Sequence, residues 1–268
     1  MRTVRQIPQD RRFLRKLISP YFARSHRNRC GRAFFSSFLQ IITNSSRRRG
    51  EKNAKRKGIM EEKVQAIIDL LKQRYPESQC ALHYEKDYEL MISVRLSAQC
   101  TDARVNQVTP ALFAEFPTLE AMASAPIERV EELVRSCGFY KHKARDIVLA
   151  CQMLLSDYGG KVPGTMEELL RLPGVGRKTA NLLLGDIYGV PGSVVCDTHC
   201  IRICGRLGLT VGKEPEKVER QLRSILPPEE SSDFCHRLVM FGREVCTARS
   251  PKCSECPLSP FCSAVTGQ

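Results

Sequence analysis

Four cysteines, Cys246, Cys253, Cys256 and Cys262, fall in the pattern C-x6-C-x2-C-x5-C near the end of the chain. A loop this short cannot keep four soft thiolates apart, so it is expected to close around a metal or a cluster. The spacing is neither that of paired zinc knuckles nor that of the ferredoxin series, and chemistry alone leaves structural zinc and a [4Fe–4S] cluster both open. Pro251, Pro257 and Pro260 stiffen the loop. Arg249 and Lys252 stand between the first two ligands, as phosphate contacts or as solvated loop charges. The chain has 13 cysteines, an odd number, and no secretory apolar segment. That combination speaks for a reducing compartment rather than a disulfide framework.

The body of the chain reads as helical. Val64, Ile67, Ile68 and Leu71 share one face of a helix that Pro76 ends. Leu90 to Leu96 is short and apolar, readable as strand or buried helix. Thr101-Asp102 is a helix start, with Pro110 bending or interrupting that helix. Helices are expected from Pro126 to Gly138, over Ala144 to Leu155, from a Thr165/Glu168 capping box to Leu172, over Asn181 to Ile187, and over Val218 to Ile225. Period-2 alternation is absent, so the body is assigned to the all-α class. No uninterrupted apolar stretch reaches about 18 residues, so no membrane span is expected.

Charge separates off the first 58 residues, with 17 Lys and Arg against Asp10 and Glu51; the remainder has 25 basic and 27 acidic residues. The formal net charge of +13 therefore belongs to this leader, and nucleic-acid binding by the body must rest on local sites. The leader fits a basic DNA-binding arm, an organelle transit peptide, or sequence upstream of a true start at Met60. The last is the preferred reading, with residues 1–58 outside the folded, mature body.

The most informative segment is Leu169-Leu170-Arg171-Leu172-Pro173-Gly174-Val175-Gly176-Arg177-Lys178-Thr179-Ala180. A helix stops at Pro173, two glycines allow a tight turn, and a second helix starts at once. Gly174 and Gly176 can take positive φ and admit a close backbone approach. The free N–H groups of the new helix then point outward, where they can hold a phosphate. Leu172, Gly174, Val175 and Gly176 are thus candidate DNA contacts that grip without reading sequence. Lys178, in the first turn of the second helix, is either a phosphate ligand or a Schiff-base nucleophile. Its candidate carboxylate partner is Asp197, in Val194-Val195-Cys196-Asp197-Thr198-His199, which also reads as a helix N-cap; it can cap with one oxygen and keep the other free. Cys196, Cys200 and Cys204 repeat every four residues and are read as packed thiols, not ligands.

Taken in order, the hairpin with its lysine, Val-Cys-Asp-Thr-His and the cysteine tail resemble endonuclease III, a family of bifunctional DNA glycosylases with AP-lyase activity on oxidised pyrimidines. The resemblance runs from about Met60 to Ser263 and takes in Ser97-Ala98-Gln99-Cys100-Thr101-Asp102 and Cys137-Gly138-Phe139-Tyr140. It implies Lys178 as nucleophile, Asp197 as catalytic carboxylate and a [4Fe–4S] cluster on the four cysteines. It implies that Gln99 fills the gap left by the extruded nucleotide and that Phe139 wedges into the opposite strand, where many members carry an aliphatic residue. The implied architecture is two helical domains flanking a DNA cleft. One, about 80–190, holds the hairpin; the other combines 59–79 with 191–268 and the cluster. Damaged double-stranded DNA is the expected partner of a monomeric, cytoplasmic, nucleoid-associated enzyme, with organellar targeting by the leader as the alternative. An adenine-mismatch glycosylase of the same fold and a non-catalytic cluster-bearing DNA binder are the competing functions; the former lacks the hairpin lysine.

Overall fold

The structure, a computed structural model, describes residues 54–266. The expectations for the leader up to residue 53 lie outside the described residues. Every regular element among those described is helical, with no strand. The compact unit that carries the chemistry is Met60–Gln268.

Its first helix, α1, ends at residue 74 and buries Val64, Ile67, Ile68 and Leu71 on the face that their spacing marks out. The ambiguous apolar run resolves as α2 (Asp87–Ser97), buried on nearly all sides from Glu89 to Leu96. A fully buried helix shows no alternation, so its period is invisible in sequence. Helix α3 (Asp102–Glu115) is capped by Thr101, whose side chain accepts from the Arg104 amide at 3.3 Å, and it carries Pro110 in its interior without ending. Short helices α4 (Leu119–Ala123) and α5 (Ile127–Leu133) pack on α6 (Tyr140–Asp157). The Thr165 cap forms as read, but α7 (Met166–Leu169) ends three residues short of Leu172. Helix α8 (Arg177–Tyr188) leaves the hairpin and packs on α2. Beyond it lie α9 (Thr198–Arg206), α10 (Pro215–Arg223) and α11 (Ser231–Glu244). Two 3-10 turns, Cys253–Glu255 and Ser259–Phe261, shape the cysteine loop before α12 (Ser263–Thr266).

Polar ties supplement a core of buried aliphatic side chains. Arg237 of α11, only 4% exposed, donates from Nε to the Tyr75 carbonyl just past α1 at 3.0 Å, and from Nη2 to Asp233 at 3.2 Å. Arg177 forks onto buried Glu219 with bonds of 2.7 and 2.8 Å, fixing the first residue of α8 to α10. Arg223 of α10 returns to Asn181 of α8 at 2.9 Å. The start of α8 is thereby clamped laterally, and with it the residue after Arg177.

Removing a buried cation that satisfies a helix-end carbonyl exposes the size of such ties. Arg237→Ala is expected to cost about 2–4 kcal/mol in urea unfolding, because it strands the Tyr75 carbonyl and two acidic neighbours. An unfolding midpoint matching the parent protein would show that the tie contributes nothing.

Candidate functional site

The hairpin departs in one respect from the sequence expectation. Gly174 has φ 74, a left-handed conformation suited to glycine, but Gly176 is extended, with φ −98 and ψ 176, as the N-cap of α8. The reason for Gly174 is also spatial. A Cβ there would sit 2.5 Å from Nε of Arg95 and 2.9 Å from Oδ2 of Asp146. Those two form an ion pair of 2.5 Å that joins α2 to α6 beneath the turn. A Cβ on Gly176 would meet open space, so this side of the turn is free for an approaching chain. Leu172 and Val175 are buried, so contacts at those positions fall to their backbone groups. No acidic side chain and no side-chain cap occupy the start of α8, which leaves its N–H groups and the positive end of its dipole facing outward.

Lys178 is exposed on the second residue of α8 and lines a cleft of about 580 Å³. Asp197 lines the same cleft from the start of α9. The carboxylate caps its helix, as the sequence suggests: Oδ1 accepts from the Cys200 amide at 2.7 Å. Its second oxygen is not left free, because Oδ2 pairs with Nδ1 of His199 at 2.9 Å. Burial alone would push this carboxyl up. The hydrogen bonds from His199 and the Cys200 amide, together with the charges of His199 and Lys178, outweigh that and hold it below the ordinary aspartate value.

The sequence reading assigns no role to His199. The signal is nonetheless present, since a histidine two residues after an N-cap aspartate stands next to the carboxylate it can bond. Its ring also needs space from α11: a Cβ on Gly242 would lie 2.5 Å from His199 Cδ2. Across the mouth of the cleft, Arg243 of α11 donates to Asp102 of α3 at 2.5 Å.

Gln99 and Phe139 are the two described non-glycine residues with positive φ, 54 and 58. Both are exposed, Phe139 by 65%. Their segments touch, since a Cβ on Gly138 would stand 3.7 Å from the Gln99 carbonyl oxygen. Buried Lys143, in the first turn of α6, reaches back to donate to the Leu96 carbonyl at 2.8 Å. One ammonium thus ties the segment that presents Phe139 to the segment that presents Gln99. Left-handed backbone at non-glycine residues costs on the order of 1–3 kcal/mol and persists only where its surroundings impose it.

The four loop cysteines line one small cavity of about 240 Å³, together with Val245 and Pro251. Among the described residues no three His, Cys, Asp or Glu side chains stand close enough to share a single ion. The four thiols surround this volume, a donor set that fits a metal ion or a cluster. Arg206 of α9 supports the loop, donating to Cys246 Sγ at 3.2 Å and to the carbonyls of Thr247 and Ala248 at 2.9 and 3.2 Å. Arg249 and Lys252 are exposed, and Lys252 also borders the cysteine cavity. Cys196, Cys200 and Cys204 are buried, and Cys200 sits among Cys196, Cys204 and Cys235, whose contacts and burial raise its thiol well above its usual value.

Known proteins share these features. Residues 92–228 match the family model described as the HhH-GPD superfamily base excision DNA repair protein, and residues 246–262 match the iron–sulfur binding domain of endonuclease III. An endonuclease III of Synechocystis is 44% identical over 196 residues, 73% of this chain and 90% of the relative. That of Bacillus subtilis is 41% identical over 200 residues, 74% of this chain and 91% of the relative. A solved endonuclease III trapped as a covalent intermediate with DNA superposes with a TM-score of 0.73 at 41% identity, covering 77% of this chain and 97% of the other. A thermostable thymine-DNA glycosylase, 21% identical with a TM-score of 0.67, shares the fold.

The depressed carboxyl of Asp197 makes a signed prediction. Its contribution to stability is complete above the unfolded value near pH 4 and is lost as pH falls through the lower folded value. Asp197→Asn, which keeps a capping oxygen but no charge, should be less stable than the parent protein at pH 7. That deficit should shrink toward pH 3; a constant deficit across this range, measured by urea titration, contradicts the assignment of the shift.

Proposed function

The chain belongs to the endonuclease III family, and we propose that Lys178 is the amine through which it cuts damaged DNA, with Asp197 as the carboxylate beside it. The protein is a base-excision repair DNA glycosylase with AP-lyase activity, and it binds an iron–sulfur cluster. The observation that carries the residue assignment is the single cleft that both side chains line, at the end of a hairpin whose outer face is open. Oxidised pyrimidines in duplex DNA are the proposed substrates.

The proposed reaction runs through those two groups. A base leaves the stack most easily when it is already damaged, at a cost of a few kcal/mol. By resemblance, Gln99 then fills the gap left by the extruded nucleotide and Phe139 wedges into the opposite strand. The Lys178 amine attacks C1′ of the sugar, the glycosidic bond breaks, and the departing base takes the electron pair and a proton. Asp197 receives a proton from the attacking amine or faces the positive charge that develops on the sugar. Ring opening gives an imine between Lys178 and C1′. Loss of a C2′ proton then expels the 3′ phosphate by β-elimination, and water releases the lysine. His199 is a positioning residue here, since it holds Asp197 Oδ2.

Cys246, Cys253, Cys256 and Cys262 would hold the cluster, here read as [4Fe–4S], and all four positions are cysteine, so its contribution is to staple the loop. The loop presents Arg249 and Lys252 as proposed phosphate contacts, alongside the backbone of Leu172 to Gly176. The proposed domain division, about 80–190 inserted into 59–79 plus 191–268, is supported by the cleft lining. Residues from both proposed parts line it, among them Ser97, Lys178 and Leu182 from one and Val195, Asp197 and His236 from the other. A monomeric, cytoplasmic and nucleoid-associated protein completes the proposal. Among the described residues no helix is long and apolar enough to cross a membrane.

Borohydride reduction of the imine tests the nucleophile. The parent protein should form a covalent adduct with an abasic duplex and Lys178→Gln should form none; an efficient adduct with the variant removes Lys178 from its role. Asp197→Asn should slow base release roughly 10²–10⁴-fold while the protein still binds DNA. Binding without any nicking by the parent protein would favour the non-catalytic reading instead. Cys256→Ala should lower bound iron and duplex affinity together, and unchanged iron content would exclude this thiol as a ligand.

A further inference from the structure

Beside the cleft lies a second cavity of about 700 Å³, lined mainly by polar side chains, which no step above uses. Gln79, Cys80, Leu82 and His236 line both spaces, so the two adjoin. One face of α8 runs along them. Lys178, Leu182 and Asp186 recur every four residues; the first two line the cleft and the third lines the second cavity. Lys178 and Asp186 are eight residues apart, about 12 Å along the helix axis.

Asp186 is held firmly and incompletely satisfied. Its side chain is 8% exposed. Oδ1 accepts from His236 Nε2 at 2.7 Å and from Ser232 Oγ at 3.3 Å, both presented by successive turns of α11. The neighbouring Gly185 lets α8 and α11 touch, since a Cβ there would lie 2.5 Å from Ser232 Oγ. Oδ2 is buried with no hydrogen-bond partner. A buried carboxylate oxygen without a donor is costly unless a ligand supplies one. Beside it, burial pushes the Cys80 thiol up to about 12, with the Asp186 and Asp102 charges adding to the effect, so this thiol stays protonated.

We propose that Asp186 is a specificity-determining residue, whose free Oδ2 accepts a hydrogen bond from the N–H edge of the extruded pyrimidine. This rests on the glycosylase reading given above and names the base-facing part of the same site. A base joined to the sugar that Lys178 attacks extends inward past Leu182 along the α8 face. A pyrimidine imide keeps its N3–H when the C5–C6 bond is saturated, and a ring-fragmented urea keeps N–H donors as well. A carboxylate suits all of these, whereas a bare ring nitrogen facing it, such as N1 of adenine, would set acceptor against acceptor.

The test uses the full chain with its cluster and two duplexes, one carrying thymine glycol and one an abasic site, which has no base to read. Asp186→Ala removes both oxygens. Asp186→Asn keeps the bonds from Ser232 and His236 and turns the free oxygen into an N–H donor. Single-turnover release of thymine glycol should fall about 10- to 100-fold in both variants, the range expected for a hydrogen bond to a charged group. Strand cleavage at the abasic site should stay within about three-fold of the parent, well under one tenfold step in rate. If alanine disrupts folding, the asparagine variant decides. Equal losses on both duplexes in the asparagine variant would assign Asp186 a structural role and overturn the proposal, as would no loss on either. Failure of the parent protein to cleave either duplex would instead overturn the glycosylase reading.

Discussion

Asp197 has two oxygens, and the architecture of the site depends on where they go. One closes the first turn of α9 through the Cys200 amide, and the other holds His199. Because a helix N-cap is geometrically strict, this pins a carboxylate at the cleft with little freedom to rotate. The same helix ends at Arg206, whose guanidinium grips Cys246 Sγ and the carbonyls of the next two residues. Arg202, one turn earlier, adds a bond to the Cys246 carbonyl at 3.0 Å. Nine residues of helix therefore fix the carboxylate at one end and the entrance of the cysteine loop at the other.

Opposite α9, helix α8 is positioned by lateral contacts as much as by its own sequence. Arg177 on Glu219 and Asn181 under Arg223 hold its first turns, and Gly185 brings its far end onto α11. With both helices clamped, the lysine and the aspartate face one space although they lie in separate segments. Exposure of Lys178 beside a carboxylate that stays ionised over the neutral range gives the cleft a polar mouth. The carboxylate of Asp186 is itself buried, so a single unmet hydrogen bond there weighs more.

Much of this is legible in the sequence, residue by residue. Helix periodicity marks the buried faces of α1 and α6, Thr101 and Thr165 mark caps, and Pro173-Gly174 marks the turn, because each acts through its own backbone and nearest neighbours. Sequence patterns mislead where the cause lies elsewhere in the chain. Gly176 looks like a second positive-φ glycine, whereas it serves as an extended cap. Helix α2 shows no period because it is buried all round. Asp197 Oδ2 looks free because nothing in a one-dimensional pattern shows that His199 turns back toward it, in room left by Gly242.

Sequence by itself determined the helical class, the hairpin, the four-thiol loop and the identities of the lysine and the carboxylate, all of which rest on local spacing and on the chemistry of single side chains. Only the tertiary structure decided that Lys178 and Asp197 share a cleft, that Gly174 must accommodate the Arg95–Asp146 pair, and that Asp186 keeps an oxygen without a donor. Those facts depend on which distant helices pack together, and packing is a property of surfaces meeting in space, which spacing along the chain does not encode.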